Sequence, residues 1–457
     1  MKKNIISNHE AISATAARFL SYAVDQRQCL KKLNLLGGAV HPAFPSYKYV
    51  LHSWPWFISP ATKTMLEACI SRIPKLVNKA ILLEFKSDYH AFAQFYSLPE
   101  VLARLFLGQG VDTRYVMQRT DAILTETGLK IVELNVGSRI GGWWINWMDG
   151  QYRKQPELAP FFRDVACETR NIPYWCMEFV VRSVIEKRLQ AQGSVNVLMI
   201  VEPTFMEIAE GLAKVYFDQA LDKYGCAGSM QFATSFDVLE FRSDIVWSNG
   251  LRLSALLFAN NEGLLPPQQL YRSCFANQIF WPDDPLYNIL ADKRSLAVLK
   301  NQRDNAAFSD ADRATIDQFV PWGAALSPQQ VFFEGKKQDL RTLVTCQRDK
   351  FVIKVARGSQ GDDVFVGKHQ PADDWQRIVD RAFSEGGWLV QECCLSLPFY
   401  GQTDEGGFGE FDVIWGVFGF GDSYGGCWLR LMPKDAGDGV INCAKGAEET
   451  IVYEVAE

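Results

Sequence analysis

The stretch Gln118 to Gly142, QRTDAILTETGLKIVELNVGSRIGG, constrains the chain most, because its pattern specifies a β-ribbon with one polar and one apolar face. Glu126-Thr127-Gly128 reads as a three-residue hairpin loop whose glycine reaches the left-handed conformation without steric cost. Thr125 then faces Leu129, Asp121 faces Glu133, and Arg119 faces Asn135. Side chains alternate with period two, so these last four share a face, while Ala122, Leu124, Val132 and Leu134 form the apolar one. Opposed residues stand about 4.5–5.5 Å apart at Cβ, where like charges repel. A divalent cation held by Asp121, Glu133 and Asn135 relieves that repulsion, and all-oxygen ligation by few carboxylates suits Mg²⁺ on substrate phosphates. The plain alternative is a solvated hairpin with scattered charges.

The rest of the composition narrows the partners. A chain of 457 residues, 48% of them hydrophobic, has material for about three domains. Its net charge of −6 with mixed signs excludes the basic field of a general nucleic-acid or acidic-membrane binder. No apolar run is long enough for a membrane span, and the N-terminus lacks a signal peptide's apolar centre. Eleven cysteines without metal-ligand spacing, only Cys393-Cys394 adjacent, fit a reducing cytoplasm, and five histidines without an HxxxH motif give no zinc site.

Along the chain, Asn8 is a candidate N-cap for a helix to about Leu33, and further helices are expected over 61–83 and 87–107, so 1–110 reads as a helical layer. Trp54 and Trp56 read as core. The hairpin region occupies 111–150, where Gly137, Gly141 and Gly142 allow close backbone approach. Trp143, Trp144 and Trp147 could wall a pocket or pack a short helix, and Arg139 is a candidate for an acidic substrate group or a surface residue. A helical connector, 151–192, precedes a small α/β domain, 193–285, opened by the apolar strand VNVLMIV and carrying a hairpin at Asn249-Gly250. No GxGxxG follows that strand, so a dinucleotide fold has no support.

Residues 286–457 read as a nucleotide-binding domain. Lys293 lies on an expected helix. Lys354 ends a strand before Gly358-Ser359-Gln360-Gly361, a turn able to fold backbone N–H groups over phosphates. GGWLVQECC reads as a strand carrying Gln391-Glu392, and YGQTDEGGFGEFD as a mobile stretch. Two strands then turn near Asp422 to Gly426, with Arg430 on the outgoing one and Asn442 and Lys445 in the last loop. Each lysine or arginine has a bland reading as a solvated or sheet-edge residue.

Taken together, these residues resemble the circularly permuted branch of the ATP-grasp ligases, typified by the synthetase domain of glutathionylspermidine synthase. The resemblance rests on RxD (Arg119-Thr120-Asp121), ExN twelve residues beyond that aspartate (Glu133-Leu134-Asn135), Lys293, Lys354 before its glycine loop, Gln391-Glu392, and Arg430 with Asn442. It covers about 115–142 and 281–457, with ExN some 160 residues ahead of the first nucleotide lysine, the permuted order. It implies an α+β / α/β chain with an ATP-grasp fold, an inserted α/β domain and an N-terminal helical layer. It also implies Mg²⁺ on Asp121, Glu133 and Asn135, and ATP held by Lys293, Lys354, Gly358, Ser359, Gln360, Gly361, Gln391, Glu392 and Asn442. Arg119 would face the acyl substrate and Arg430 the transferred phosphate.

The activity implied is ADP-forming ligation of a carboxylate to an amine through an acyl phosphate, on a small metabolite or peptide. A homodimer is allowed, and neither nucleic acid nor membrane is called for. Val136 to Gly142 replaces the family's DTPT continuation, Val355-Ala356 replaces a proline, and no amidase domain lies upstream. Glutathione and spermidine are therefore not implied. The alternatives are an ATP-grasp kinase that stops at phosphoryl transfer and a non-catalytic nucleotide-binding partner protein.

Overall fold

A computed structural model describes residues 2–25, 49–259, 263–358, 363–403, 407–434 and 436–457. The last third of the chain and the early hairpin share one sheet. Its order is Trp56–Ile58, Glu448–Val455, Ser423–Pro433, Phe408–Phe420, Met117–Thr125, Gly128–Val136, with Phe399–Gln402 pairing beside Phe408–Phe420 and Cys167–Glu168 beside Glu448–Val455. All pairs are antiparallel except Trp56–Ile58, which runs parallel to Glu448–Val455.

Alternation along these strands gives the sheet two unlike faces. One face, with Val417, Leu429, Leu431, Ala122 and Leu134, is buried in the main core, and the helix Pro60–Phe85 packs on this sheet. That contact is close enough that a Cβ at Gly419 would lie 2.4 Å from the Ile70 side chain. On the other face the helix Ile172–Glu186 covers Phe420, and Ile172 and Gly142 pack against Phe418. The part carrying Ile414, Arg430 and Asp121 is left to line a cleft.

A second, four-stranded antiparallel sheet, in the order Gly323–Ala325, Trp388–Glu392, Phe351–Val355, Val364–Val366, forms the opposite wall. Phe351, Ile353, Trp388 and Val390 point away from the cleft into a separate core with Trp375 and Val379. Their neighbours in the alternation, Val352, Lys354 and Gln391, line the cleft. A third sheet has three strands. Ser194–Val201 lies between Ala255–Ala259 and Ala227–Ala233, all parallel, with the helix Met206–Tyr224 as the first crossover.

Several expectations shift in detail. The first helix is broken at Ser13 into Lys2–Ile12 and Ala14–Asp25; Asn8 lies inside the first piece and donates to the Pro398 carbonyl at 2.8 Å, so it is no N-cap. The remainder of that expected helix, 26–33, falls outside the described residues. The helical run 87–107 divides at Ser97 into Tyr89–Tyr96 and Glu100–Gln109, because Pro99 cannot continue the first piece. The expected mobile stretch at 400–412 instead pairs Phe399–Gln402 with Phe408–Phe411, residues 404–406 lying outside the description. The hairpin expected at Asp422–Gly426 turns earlier, at Gly421-Asp422. Trp54 and Trp56 are buried core residues, 2% and 3% exposed. Among the described residues no helix is long and apolar enough to cross a membrane, and the ten described cysteines are free.

Candidate active site

The hairpin reaches its expected register by an unexpected route. Thr125 pairs with Gly128, leaving a two-residue turn at Glu126-Thr127, and Leu124 pairs with Leu129. That places every pair one residue off until a bulge between Asp121 and Ala122, where Val132 is the extra residue. Beyond it Asp121 faces Glu133 and Arg119 faces Asn135. The bulge also moves Val132 from the apolar face, where alternation put it, to the cleft, and Ile131 takes its place in the core.

The cleft between the two sheets has a volume of about 750 Å³. One wall carries Arg119, Asp121, Glu133, Asn135 and Arg430, the other Lys354, Gln391 and Glu392, and Asn442 closes an end. Asp121 is the centre of the first wall. Its Oδ1 accepts from Arg119 Nε at 2.9 Å, and its Oδ2 accepts from Arg119 Nη2 at 3.1 Å and Asn135 Nδ2 at 3.1 Å. Arg430 Nη2 stands 2.9 Å from the same Oδ2. Burial pushes this carboxyl up, yet the two guanidiniums outweigh it and hold the pKa at about 2.

Arg430 is 6% exposed. Its approach to Asp121 is close but not aligned as a hydrogen bond, and its Nε and Nη2 have no acceptor. Buried donors without acceptors are costly, and the Asp121 carboxylate beside them offsets part of that cost through charge. Trp428 supports both cations: Arg119 lies 5.2 Å and Arg430 5.3 Å from its ring centroid.

On the facing wall, Lys354 Nζ donates to Gln391 Oε1 at 2.7 Å and to the Val132 carbonyl at 3.2 Å. Burial, with Lys293 nearby, lowers its pKa to about 8 against the pull of Glu133. Lys293 joins the walls. It sits just before the helix Arg294–Asn301, not on it, and its Nζ lies 3.1 Å from Glu133 Oε1 while donating to the Gly358 carbonyl at 2.9 Å. Gly358 starts the expected phosphate loop, and Ser359, Gln360 and Gly361 lie outside the described residues. Glu392 accepts from the Trp322 backbone N–H at 3.3 Å, and its own N–H donates to the Trp322 carbonyl at 2.9 Å.

Other expected residues have structural partners of their own. Asn442 lines it, but its side chain accepts from the Ala444 N–H as a turn cap, and Lys445 pairs with Asp438 at 2.6 Å. Trp143, Trp144, Trp147 and Arg139 are not among the lining residues; Arg139 lies over Phe258, 5.6 Å from its centroid. Gly137, Gly141 and Gly142 all have positive φ, and a Cβ at Gly142 would come within 2.8 Å of Ile172. Sequence reasoning passed over Ile123, Trp322, Asp412 and Met432, which line the cleft. Period two from Arg430 points to Met432, whereas Trp322 is brought in by the fold and left no local signal.

The three metal candidates carry oxygens on one wall, but here each carboxylate holds protein cations: guanidiniums at Asp121, an ammonium at Glu133. Such carboxylates fit a divalent ion that takes over part of the charge these cations neutralise. Among the described residues no group of three or more His, Cys, Asp or Glu gathers at one point.

Gly416 faces Asp121 across the strands, and a Cβ there would lie 3.3 Å from Arg119 Cδ and 3.6 Å from Asp121 Oδ1. Gly416→Val is expected to displace Arg119 while the sheet persists. Circular dichroism should be unchanged and thermal stability should fall by about 1–3 kcal/mol through overpacking. A variant as stable as the parent overturns that reading.

No protein-family profile and no curated protein sequence matches the chain. Its fold is shared with a glutathione synthetase-like effector from Globodera pallida in its apo form, at 11% identity and a TM-score of 0.55 over 96% of this chain and 97% of the other. A chain named as a gamma-glutamylcysteine synthetase from Methylobacillus flagellatus aligns at 10% identity over 83% and 87% with a TM-score of 0.38, a likeness too slight to build on. The architecture is thus a mixed α+β one, shared in fold with that effector.

Proposed function

We propose that the protein is an ATP-grasp ligase of permuted strand order that joins a carboxylate to an amine with release of ADP and phosphate. One observation carries the reading. Lys293 spans from Glu133, on the carboxylate wall, to the Gly358 carbonyl at the root of the glycine loop. This contact supports a reading in which the metal and phosphate candidates act together, although some 160 residues separate Glu133 from Lys293 in the chain.

The chemistry follows from the groups. A carboxylate is a poor electrophile, so one of its oxygens attacks the γ-phosphorus of ATP, ADP leaves, and an acyl phosphate results. The amine then attacks the carbonyl carbon, phosphate leaves, and the nitrogen gives up a proton. Transfer of this kind needs positioning and charge neutralisation more than covalent help. Lys293 and Lys354 bind phosphate oxygens, the orphaned donors of Arg430 meet the charge developing on the transferred group, and Arg119 orients the acid. Val352, Val364 and Val366 on one wall and Met432 on the other line the cleft and would offer a base apolar surface. Magnesium on Asp121, Glu133 and Asn135 would supply neutralisation of the phosphates.

The test is a screen of acid and amine pairs for ADP release, with mass spectrometry of the products. The expected product is one water lighter than its two inputs. A stable phosphorylated acid that forms without any amine would point to a kinase, and ATP binding with no ADP under any pair to a binding protein; either result sinks the ligase.

A further inference from the structure

We infer that Asp292 is a positioning residue that, through Arg357, clasps the end of the Lys354 strand to the body of the protein and so slows release of the nucleotide. This rests on the reading above that the cleft takes a nucleotide between Lys293 and Lys354. The sheet that carries Lys354 has a hydrophobic core of its own, whereas Leu290 and Leu296, on either side of Asp292 and Lys293, are buried in the main one. Where the strand Phe351–Val355 runs out, polar contacts join the two. The Lys293 N–H donates to the Ala356 carbonyl at 3.2 Å, Arg357 Nε donates to Asp292 Oδ2 at 3.1 Å, and Lys293 Nζ donates to the Gly358 carbonyl at 2.9 Å. Three successive residues are thus held by two successive residues from the other side.

The carboxylate is anchored from behind. The Asp292 side chain is wholly buried and accepts from Arg294 three times, from Nε at 2.9 Å, Nη2 at 2.8 Å and the backbone N–H at 3.1 Å. Arg294 in turn lies over the rings of Phe95 and Tyr96, 5.0 and 5.6 Å from their centroids, so the helix Tyr89–Tyr96 reaches the cleft through this ion pair. Arg357 is the outer arm, its side chain 46% exposed against 7% for that of Arg294. Asp292 keeps Arg294 as counter-ion when Arg357 lets go, so the arm releases at little cost to the fold. What its release does cost is order at the strand end. The Ala356 and Gly358 carbonyls that engage Lys293 flank Arg357, and its tether keeps that lysine between Glu133 and Gly358. Holding Lys293 and the strand end together before a nucleotide arrives is preorganisation, and it acts chiefly on how long the nucleotide stays.

The test reads binding and local order, not turnover. Binding of the fluorescent, non-hydrolysable analogue mant-AMP-PNP, with MgCl₂, is followed by stopped flow in the parent and in Arg357→Gln. Dissociation should accelerate by about fivefold or more, association should not slow, and Tm should stay within about 3 °C of the parent's. Simple loss of folded protein would lower the amplitude and leave the dissociation rate constant alone. Arg357→Lys should recover part of the slow release. The gap between parent and Arg357→Gln should narrow in about 1 M NaCl, where the Debye length falls to about 3 Å. Adding Arg357→Gln to Asp292→Asn should change release no further, as expected of one unit. Without nucleotide, hydrogen exchange at the Lys293 amide, whose acceptor is the Ala356 carbonyl, should quicken by about fivefold or more in Arg357→Gln.

Unchanged dissociation in Arg357→Gln overturns the inference, whether or not the Lys293 amide exchanges faster. Should Asp292→Asn fail to fold, with Arg294 left without its counter-ion, the two Arg357 variants decide alone. A parent protein that does not bind mant-AMP-PNP removes the nucleotide reading of the cleft, a distinct result, and this inference with it.

Discussion

Lys354→Met is expected to make the protein more stable at neutral pH while weakening ATP binding at least about a hundredfold, the loss of a buried charge-assisted phosphate contact. Lys354 is 7% exposed, and burial, with Lys293 close by, lowers its pKa to about 8 from an ordinary 10.5. Below pH 8 both the folded and unfolded chains carry the proton, and the folded one bears the full cost of a buried ammonium. Between 8 and 10.5 the unfolded chain alone keeps it, so stability rises with pH across that window. The depression corresponds to about 3 kcal/mol at most. Methionine removes that cost but leaves Gln391 Oε1 without its donor, which takes back about 1–2 kcal/mol. A net gain of about 1–2 kcal/mol should therefore appear in urea unfolding at pH 7 and fade as the pH approaches 10. A difference that does not change with pH would show that Lys354 is not the buried cation described. The same titration makes ATP affinity fall as pH rises past 8, since the neutral amine attracts no phosphate.

Asp121→Ala should be the most destabilising single change in the cleft. It leaves Arg430 wholly buried and Arg119 largely so, without their shared counter-ion, and breaking a buried pair in this way costs about 3–5 kcal/mol. Asp121→Asn keeps the shape and isolates the charge. The folded carboxyl sits at about 2 against an ordinary 3.8, so its contribution is complete above pH 4 and is lost as the pH falls through 2. That contribution amounts to about 2 kcal/mol. Acid unfolding of the parent should therefore be steeper between pH 4 and 2 than that of Asp121→Asn. Coincident acid transitions would count against the two-guanidinium clamp. Both variants should also lose the magnesium effect on nucleotide binding.

Much of the site was legible because it lies on strands. Period two puts Asp121, Glu133 and Asn135 on one face whatever surrounds them, and it puts Lys354 and Gln391 on the wall opposite Phe351 and Val390. The expected three-residue loop and the missing bulge were two errors that cancelled, since a bulge shifts the register by one residue and the shorter turn shifts it back. Val132, which lies between them, shows the residue of that cancellation. The expected helix through Ser13 failed for another reason. Helical periodicity continues across residues 8–25, but the break is stabilised by Glu457, whose carboxylate accepts from the N–H groups of Ala14 and Thr15 at the start of the second helix. No local pattern announces a cap supplied from more than 440 residues away.

The roles behind the cleft were likewise invisible. Trp144 was singled out as a flat apolar surface, yet what it does in the fold is donate a hydrogen bond to Glu449, a residue that drew no notice within EETIVYEV. Local alternation, turn chemistry and charge spacing determined which faces would be polar and which side chains would be paired across a ribbon, because those depend on neighbours two to twelve residues apart. Only the tertiary structure decided which cation each carboxylate holds, since Arg430 and Lys293 reach the hairpin from a strand and a turn far along the chain. Counter-ions are chosen by distance in space, and a low-dielectric cleft makes that choice energetically large.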